Sequence, residues 1–230
     1  LKKKLENFSK YIGIDESGKG DFFGNIVVAG VIFDKTKEEF FKDLNVRDSK
    51  KIEDKRIKFL AKEIKKNLFY EIVSITPKKF NELYKSFKNI NVFLAWAYSK
   101  VILNLLKIEK VSLILIDKFT TKNYIDLFLK NKNINVERIE IIKGERDPAI
   151  ACASIVARDS FLTSLTILER KWGFSFPKGG GEIVDKSGIE FVKKFGIEKL
   201  NEVAKINFRN YKKILELLNK EKLFDGGCDV

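Results

Sequence analysis

The chain has 230 residues, 44% of them hydrophobic, with 45 Lys and Arg against 32 Asp and Glu and a net charge of +13. That is enough apolar material for a sizeable core, which excludes global disorder, and the charge favours a polyanionic partner, nucleic acid before an anionic membrane surface. There is no histidine, which excludes a Ser-His-Asp triad and the usual zinc sites.

An AT-rich or thermophilic background produces a similar lysine excess, so charge alone does not decide the partner. No run of about 18 apolar residues is present, so no transmembrane helix is expected. The start, Leu1-Lys2-Lys3-Lys4-Leu5-Glu6, lacks the apolar centre of a signal peptide. Cys152 and Cys228 form no spaced framework, so a reducing, cytoplasmic setting is expected. The sequence has no Met and begins with Leu, which suggests that something precedes it. Residues 1–10 read as a frayed end or linker remnant, 11–222 as one α/β domain, and 223–230 as a disordered Gly/Asp-rich tail.

Tyr11-Ile12-Gly13-Ile14 is an apolar strand that runs into two adjacent carboxylates, Asp15 and Glu16. The glycine turn Gly18-Lys19-Gly20 follows, and a second apolar strand lies within 24–34. Two carboxylates at a strand end suit a hard cation, and glycines let backbone N–H groups approach a ligand. A plain hairpin with a polar turn is the alternative. Asp48-Ser49-Lys50-Lys51 precedes an amphipathic helix over 52–66. Asp48 or Ser49 reads as its cap, or Lys50 and Lys51 as a phosphate contact.

Leu68–Thr76 reads as a strand ended by Pro77, and helices follow over 78–87 and 91–109. Trp96 falls on the apolar side of the second helix and is expected in the core. Val111–Asp117 is a near-continuous apolar run, the mark of a buried parallel strand, and it stops at a carboxylate. Asp117 is either a site residue at a sheet end or the cap of a following helix over 123–130. A further strand over 136–142 leads to Lys143-Gly144-Glu145-Arg146-Asp147-Pro148, again polar after a strand. Pro148 opens a helix of small residues reaching Trp172. Phe176–Gly181 is a basic glycine loop, either a connector or a track for a phosphate backbone. Helices over 187–195, 197–204 and 208–220 close the chain.

Asp15, Glu16, Asp117 and Glu145 thus each follow an apolar strand. If those strands are neighbours, their like charges repel and bind cations. Two divalent ions there would suit hydrolysis of a phosphodiester, and a basic surface would hold its backbone.

The segment Asp15-Glu16-Ser17-Gly18-Lys19-Gly20-Asp21-Phe22-Phe23-Gly24 resembles the opening motif of the type 2 ribonucleases H, in particular ribonuclease HIII. Asp48-Ser49-Lys50-Lys51, Asn81-Glu82-Leu83-Tyr84, Asn89-Ile90-Asn91, Leu94-Ala95-Trp96, Ala151–Arg158, Pro177-Lys178-Gly179 and Phe208-Arg209-Asn210 resemble further blocks of that family, in the same order. The likeness covers nearly the whole chain. It implies a ribonuclease H-like mixed five-stranded sheet flanked by helices. It implies cleavage of the RNA strand of an RNA–DNA hybrid with two Mg²⁺ or Mn²⁺ ions, leaving a 3′-hydroxyl and a 5′-phosphate.

The resemblance carries the metal ligands onto Asp15, Glu16, Asp117 and Glu145, a glutamate at the fourth position being the HIII habit. It assigns Gly18, Lys19 and Gly20 to the motif whose backbone reads the 2′-hydroxyl of RNA. Lys50, Lys143 and Arg158 are expected at substrate phosphates, and Ser154 in the substrate site. There are departures. The segment Glu145–Ser154 is one residue shorter than the common pattern, which keeps Asp147 open as the fourth carboxylate. Asn25 stands where proline is usual, and Lys118 where glutamine is common. The N-terminal domain resembling the TATA-binding protein, usual in HIII enzymes, has no counterpart here, so weaker hybrid binding is expected. A monomer with no obligate protein partner and no membrane is expected. The alternatives are a ribonuclease HII acting at single ribonucleotides in DNA, a structure-specific DNA nuclease on the same kind of sheet, and a nucleic-acid-binding module without catalysis.

Overall fold

The computed structural model describes residues 5–46, 52–120, 122–132, 134 and 136–225, without the side chains of Asn131, Glu145 and residues 221–225. Five strands make one sheet: β1 (Lys10–Ser17), β2 (Ile26–Asp34), β3 (Phe69–Ile75), β4 (Leu113–Asp117) and β5 (Glu137–Ile141), in the order β3-β2-β1-β4-β5. β1 pairs antiparallel with β2 and parallel with β4, and β4 pairs parallel with β5. The sheet is therefore mixed, as expected. The apolar run of β2 is buried on both faces, whereas the edge strands β3 and β5 carry charged residues and are partly exposed.

The helices are α1 (Glu38–Asp43), α2 (Asp54–Asn67), α3 (Pro77–Phe87), α4 (Ile90–Ile108), α5 (Asp126–Leu129), α6 (Pro148–Trp172), α7 (Glu182–Phe195), α8 (Leu200–Val203) and α9 (Arg209–Asp225). Contacts divide the chain into two compact units. The first comprises Leu1–Ser17, Val27–Ser74 and Phe87–Leu162, and the second Gly18–Ile26, Ile75–Ser86 and Thr163–Val230.

In the first unit a helix covers each face of the sheet, and a glycine sets how closely each approaches. A Cβ on Gly13 of β1 would fall 2.3 Å from the backbone carbon of Ala149, so the start of α6 lies against the strand itself. A Cβ on Gly30 of β2 would meet Val101 and Leu105 of α4 at 2.7 and 2.8 Å, beside Ile14. Side chains alternate along a strand, so odd positions of β1 face α6 and even positions face α4. The small residues of α6 permit that approach: Ala149, Ala151, Cys152, Ala153 and Ala157 are all buried. Asn89 caps α4 by accepting the Asn91 N–H at 2.8 Å. Each large apolar side chain buried between these layers contributes about 1.5–3 kcal/mol.

In the second unit, Phe174, Phe176, Phe191, Phe195 and Trp172 form one aromatic cluster, with ring centroids 4.8–6.2 Å apart. Phe23 joins it through Phe176 at 5.0 Å.

The structure corrects several expectations. Nothing in the sequence announces α1. α2 begins at Asp54 with Glu53 at its N-cap position; Asp48 and Ser49, the expected caps, lie outside the described residues. The helix expected over 123–130 shrinks to α5 and one 3-10 turn. α7 starts at Glu182, five residues before the expected 187. Lys10 opens β1 and is not frayed, and α9 reaches Asp225, into the expected tail. Trp96 is half-buried, packed on Phe87 and Phe93 and under Lys100. α6 is also long and apolar enough to cross a membrane by length and composition. Its buried small face makes it a core helix instead.

Candidate active site at the sheet end

Parallel registration decides what meets at the end of the sheet. Ile14 of β1 pairs with Ile116 of β4, so the next residues, Asp15 and Asp117, stand on neighbouring strands, which run about 4.8 Å apart. The Asp117 side chain also reaches β5's exit, where its Oδ1 accepts the N–H of Gly144 at 2.8 Å. Gly144 is needed there: a Cβ would fall 2.7 Å from Ile150 and 3.0 Å from Asp117 Oδ1. Lys143, just before it, is exposed and holds a left-handed φ of 56°, a conformation costing about 1 kcal/mol or more for a residue with a side chain. Asp117 is not the cap of the following helix, because α5 begins only at Asp126 with Ile125 at its N-cap position.

Asp15 and Glu16 are adjacent and so turn to opposite faces. Asp15 faces α6, where the buried Ser154 hydroxyl bonds to its carboxylate. Its Oδ1 also accepts the Glu16 N–H at 2.7 Å. Glu16 faces α4 and accepts a hydrogen bond from the Tyr98 hydroxyl. Burial pushes the Asp15 carboxyl well above the usual carboxylate range, and the negative charges of Glu16 and Asp117 push it further. Its two hydrogen bonds oppose that shift without cancelling it. Tyr98 is likewise raised, first by burial and then by Glu16.

Asp147, the other candidate for the fourth carboxylate, is engaged elsewhere. Its Oδ1 accepts the Ala149 N–H at 2.9 Å and the Ile150 N–H at 3.4 Å, as a cap at the head of α6. The Tyr11 hydroxyl donates to its Oδ2 at 3.2 Å. Burial raises the Asp147 carboxyl, and the capping bonds counter that. Arg158 lies 3.9 Å from Asp54 and stacks on Phe161 at 5.4 Å. Gly18 takes a φ of +85°, open to glycine, and a Cβ on Gly20 would meet no protein atom within 4 Å. The backbone at Gly20 is therefore open on its Cβ side. Lys50 lies outside the described residues, as does the side chain of Glu145.

Residues 12–211 match the model of the ribonuclease HII family. The ribonuclease HIII of Protochlamydia amoebophila is 37% identical over 214 residues, which span 93% of this chain and 71% of that protein. The chain belongs to the ribonuclease HII family. Its fold also matches Bst-RNase HIII: the crystal structure of a point mutant of that enzyme superimposes with a TM-score of 0.85 at 28% identity, over 93% of this chain and 72% of that one. The complex of Bst-RNase HIII with Mn²⁺ gives 0.84 at 29% identity, over 90% and 70%. The five-stranded mixed sheet is thus a ribonuclease H-like fold, and the protein is a metal-dependent ribonuclease H.

The donor set of this ribonuclease suits such an ion in kind. Asp15, Glu16 and Asp117 offer only hard oxygen, which Mg²⁺ and Mn²⁺ accept. Among the described residues no three His, Cys, Asp or Glu side chains already stand in a metal-holding group. Sequence reasoning missed two residues that hold the carboxylates. Gly144 carried no signal beyond a turn. Tyr98 had one: Leu94, Tyr98, Val101 and Leu105 share a buried helical face, and Tyr98 is its only hydroxyl, which needs a partner when buried.

Proposed function

We propose that this chain is an endonuclease that hydrolyses the RNA strand of RNA–DNA hybrids, leaving a 3′-hydroxyl and a 5′-phosphate. The observation that carries the reading is the Ile14–Ile116 register, which sets Asp15 beside Asp117 at the ends of adjacent central strands. Asp15, Glu16, Asp117 and Glu145 would hold two divalent ions. When bound, Mg²⁺ or Mn²⁺ supplies an activated water and stabilises the leaving oxygen.

The chain's own residues do the placing. Ser154 holds the Asp15 carboxylate from the α6 side, and Tyr98 holds Glu16 from the α4 side. The Gly144 N–H fixes one oxygen of Asp117 and with it the direction of that carboxylate. Glu145 is the fourth carboxylate in this reading, because Asp147 is spent on the helix cap and on Tyr11. The backbone of Gly18–Gly20, directly after the carboxylates in the chain and open on the Cβ side at Gly20, reads the 2′-hydroxyl. Lys50, Lys143 and Arg158 contact phosphates, Arg158 after leaving Asp54, and the charge of +13 supports polyanion binding. The protein works as a monomer in the cytoplasm.

Three labelled duplexes with Mg²⁺ test the substrate: an RNA–DNA hybrid, DNA with one ribonucleotide, and all DNA. The proposal expects cutting of the hybrid alone. Efficient cutting beside the single ribonucleotide would move the reading to the HII type, and cutting of all-DNA duplex would contradict it.

A further inference from the structure

The most unusual group outside the carboxylate cluster is a fully buried lysine. In the second unit, residues 203–206 and 21–24 form a short bridge. The Gly24 N–H donates to Val203 O at 3.0 Å and the Lys205 N–H to Phe22 O at 2.9 Å, with Phe23 opposite Ala204. Lys205 then turns inward to zero exposure. Its Nζ donates to Gly24 O at 2.6 Å and Phe23 O at 3.3 Å, with the Phe208 ring 5.7 Å away. Burial pulls its amine down to about 7, against the pull of Asp21.

Both sides of this bridge are anchored. Behind it, Asn81 of α3 donates to Asn201 Oδ1 at 2.8 Å and to Ala204 O at 2.9 Å, and accepts the Ile206 N–H at 3.1 Å. In front, the Phe22 N–H donates to Gly179 O at 2.8 Å, and the Gly179 N–H returns to Asp21 Oδ1 at 2.7 Å. Residues 21–24 are thus fixed immediately after Gly18-Lys19-Gly20.

Packing alone does not call for a lysine here. Phe22 and Phe23 already fill the core, and a methionine of similar length would avoid removing an amine from water. What only Nζ supplies is a fixed direction for two consecutive carbonyls, at a turn where Gly24 takes a φ of +78°. We propose that Lys205 is a positioning residue for ribose recognition: by pinning the carbonyls of Phe23 and Gly24 it holds the Gly18–Gly20 backbone in the shape that meets the RNA strand. The inference rests on the reading of Gly18–Gly20 as a substrate contact.

Lys205→Met removes the donors, and Lys205→Gln restores an N–H on a shorter arm. Two readouts are compared with wild type: steady-state cleavage of an RNA–DNA hybrid, and amide hydrogen exchange over residues 18–24. The expected result for Lys205→Met is a KM about tenfold higher with kcat within about twofold, and faster exchange confined to 18–24. Lys205→Gln should fall between it and wild type on both. Wild-type KM and exchange in Lys205→Met would overturn the proposal. So would loss of cooperative melting in both variants, since the lysine would then serve the fold alone. If wild type leaves the hybrid uncut, the hydrolase reading fails, while the exchange data still judge the clamp.

Discussion

Two aspartates of the first unit lie near the two ends of one stretch of packing, and they are treated in opposite ways. Asp147 stands at the head of α6 with its oxygens turned to the Ala149 and Ile150 amides and the Tyr11 hydroxyl. Asp15 stands at the end of β1 with Glu16 and Asp117 beside it, and each of those negative charges makes its own charge harder to hold. Burial raises both carboxyls. At Asp147 the amides and the Tyr11 hydroxyl counter part of that cost, whereas at Asp15 the charges of Glu16 and Asp117 add to it against only two opposing hydrogen bonds. The same residue type caps a helix where amides and a hydroxyl meet it and, on the proposed reading, holds a cation where other carboxylates crowd it.

The largest effect should come from breaking the second arrangement. Asp15→Asn should lower hybrid cleavage by about 10³-fold or more. The same change should raise the Tm of the metal-free protein by about 2–4 °C near neutral pH, because it removes one of the crowded charges. The sign follows from linkage. Asp15 is raised in the folded state, so the fold favours its protonated form; that stabilisation is present at acid pH and lost as pH rises through the raised value. The variant should lose this part of the pH dependence, read by melting across a pH series. A lower metal-free Tm in Asp15→Asn would contradict the assignment of strain to that carboxylate.

A smaller effect is expected at the first arrangement. Asp147→Ala should cost about 1 kcal/mol of stability, the usual worth of a lost helix cap, and Asp147→Asn much less. Both should keep kcat within about tenfold of wild type, as expected for a residue outside the reacting group. Denaturant melts and initial rates check this, and a catalytic collapse in Asp147→Asn would exchange its role with that of Glu145. The smallest structural effect belongs to Gly20→Ala. A Cβ there meets nothing in the protein, so Tm should stay within about 2 °C of wild type. On the proposed reading KM for hybrid should rise, because the methyl group would occupy space that the substrate needs.

The strands and the long helices are legible because their signals are local. The run Leu113–Asp117 has no polar interruption, and α6 spans the expected Pro148–Trp172. The convergence of Asp15 with Asp117 is readable only as a condition, that β1 and β4 be neighbours, since pairing is set by the whole sheet. The start of α2 misleads because Asp48 and Ser49 are good cap residues, yet the turn is made further on, at Glu53. The two uses of aspartate are not separable within Lys143–Pro148. Asp147 becomes a cap only when Pro148 starts the helix one residue later and Tyr11 arrives from 136 residues away. Lys205 gives little sign, being one lysine among many in a lysine-rich chain. Its distinction lies in zero exposure, which only the folded structure reveals.

The central claim is that the paired strand-end carboxylates perform the chemistry. Asp117→Asn tests it most directly, since it keeps the shape of the side chain and an oxygen for the Gly144 N–H. The measurement is cleavage of an RNA–DNA hybrid by wild type and Asp117→Asn in Mg²⁺ and in Mn²⁺, with Mn²⁺ binding followed by calorimetry on the same samples. The account predicts a fully folded variant that has lost both cleavage and tight Mn²⁺ binding. Wild-type cleavage by Asp117→Asn would contradict it.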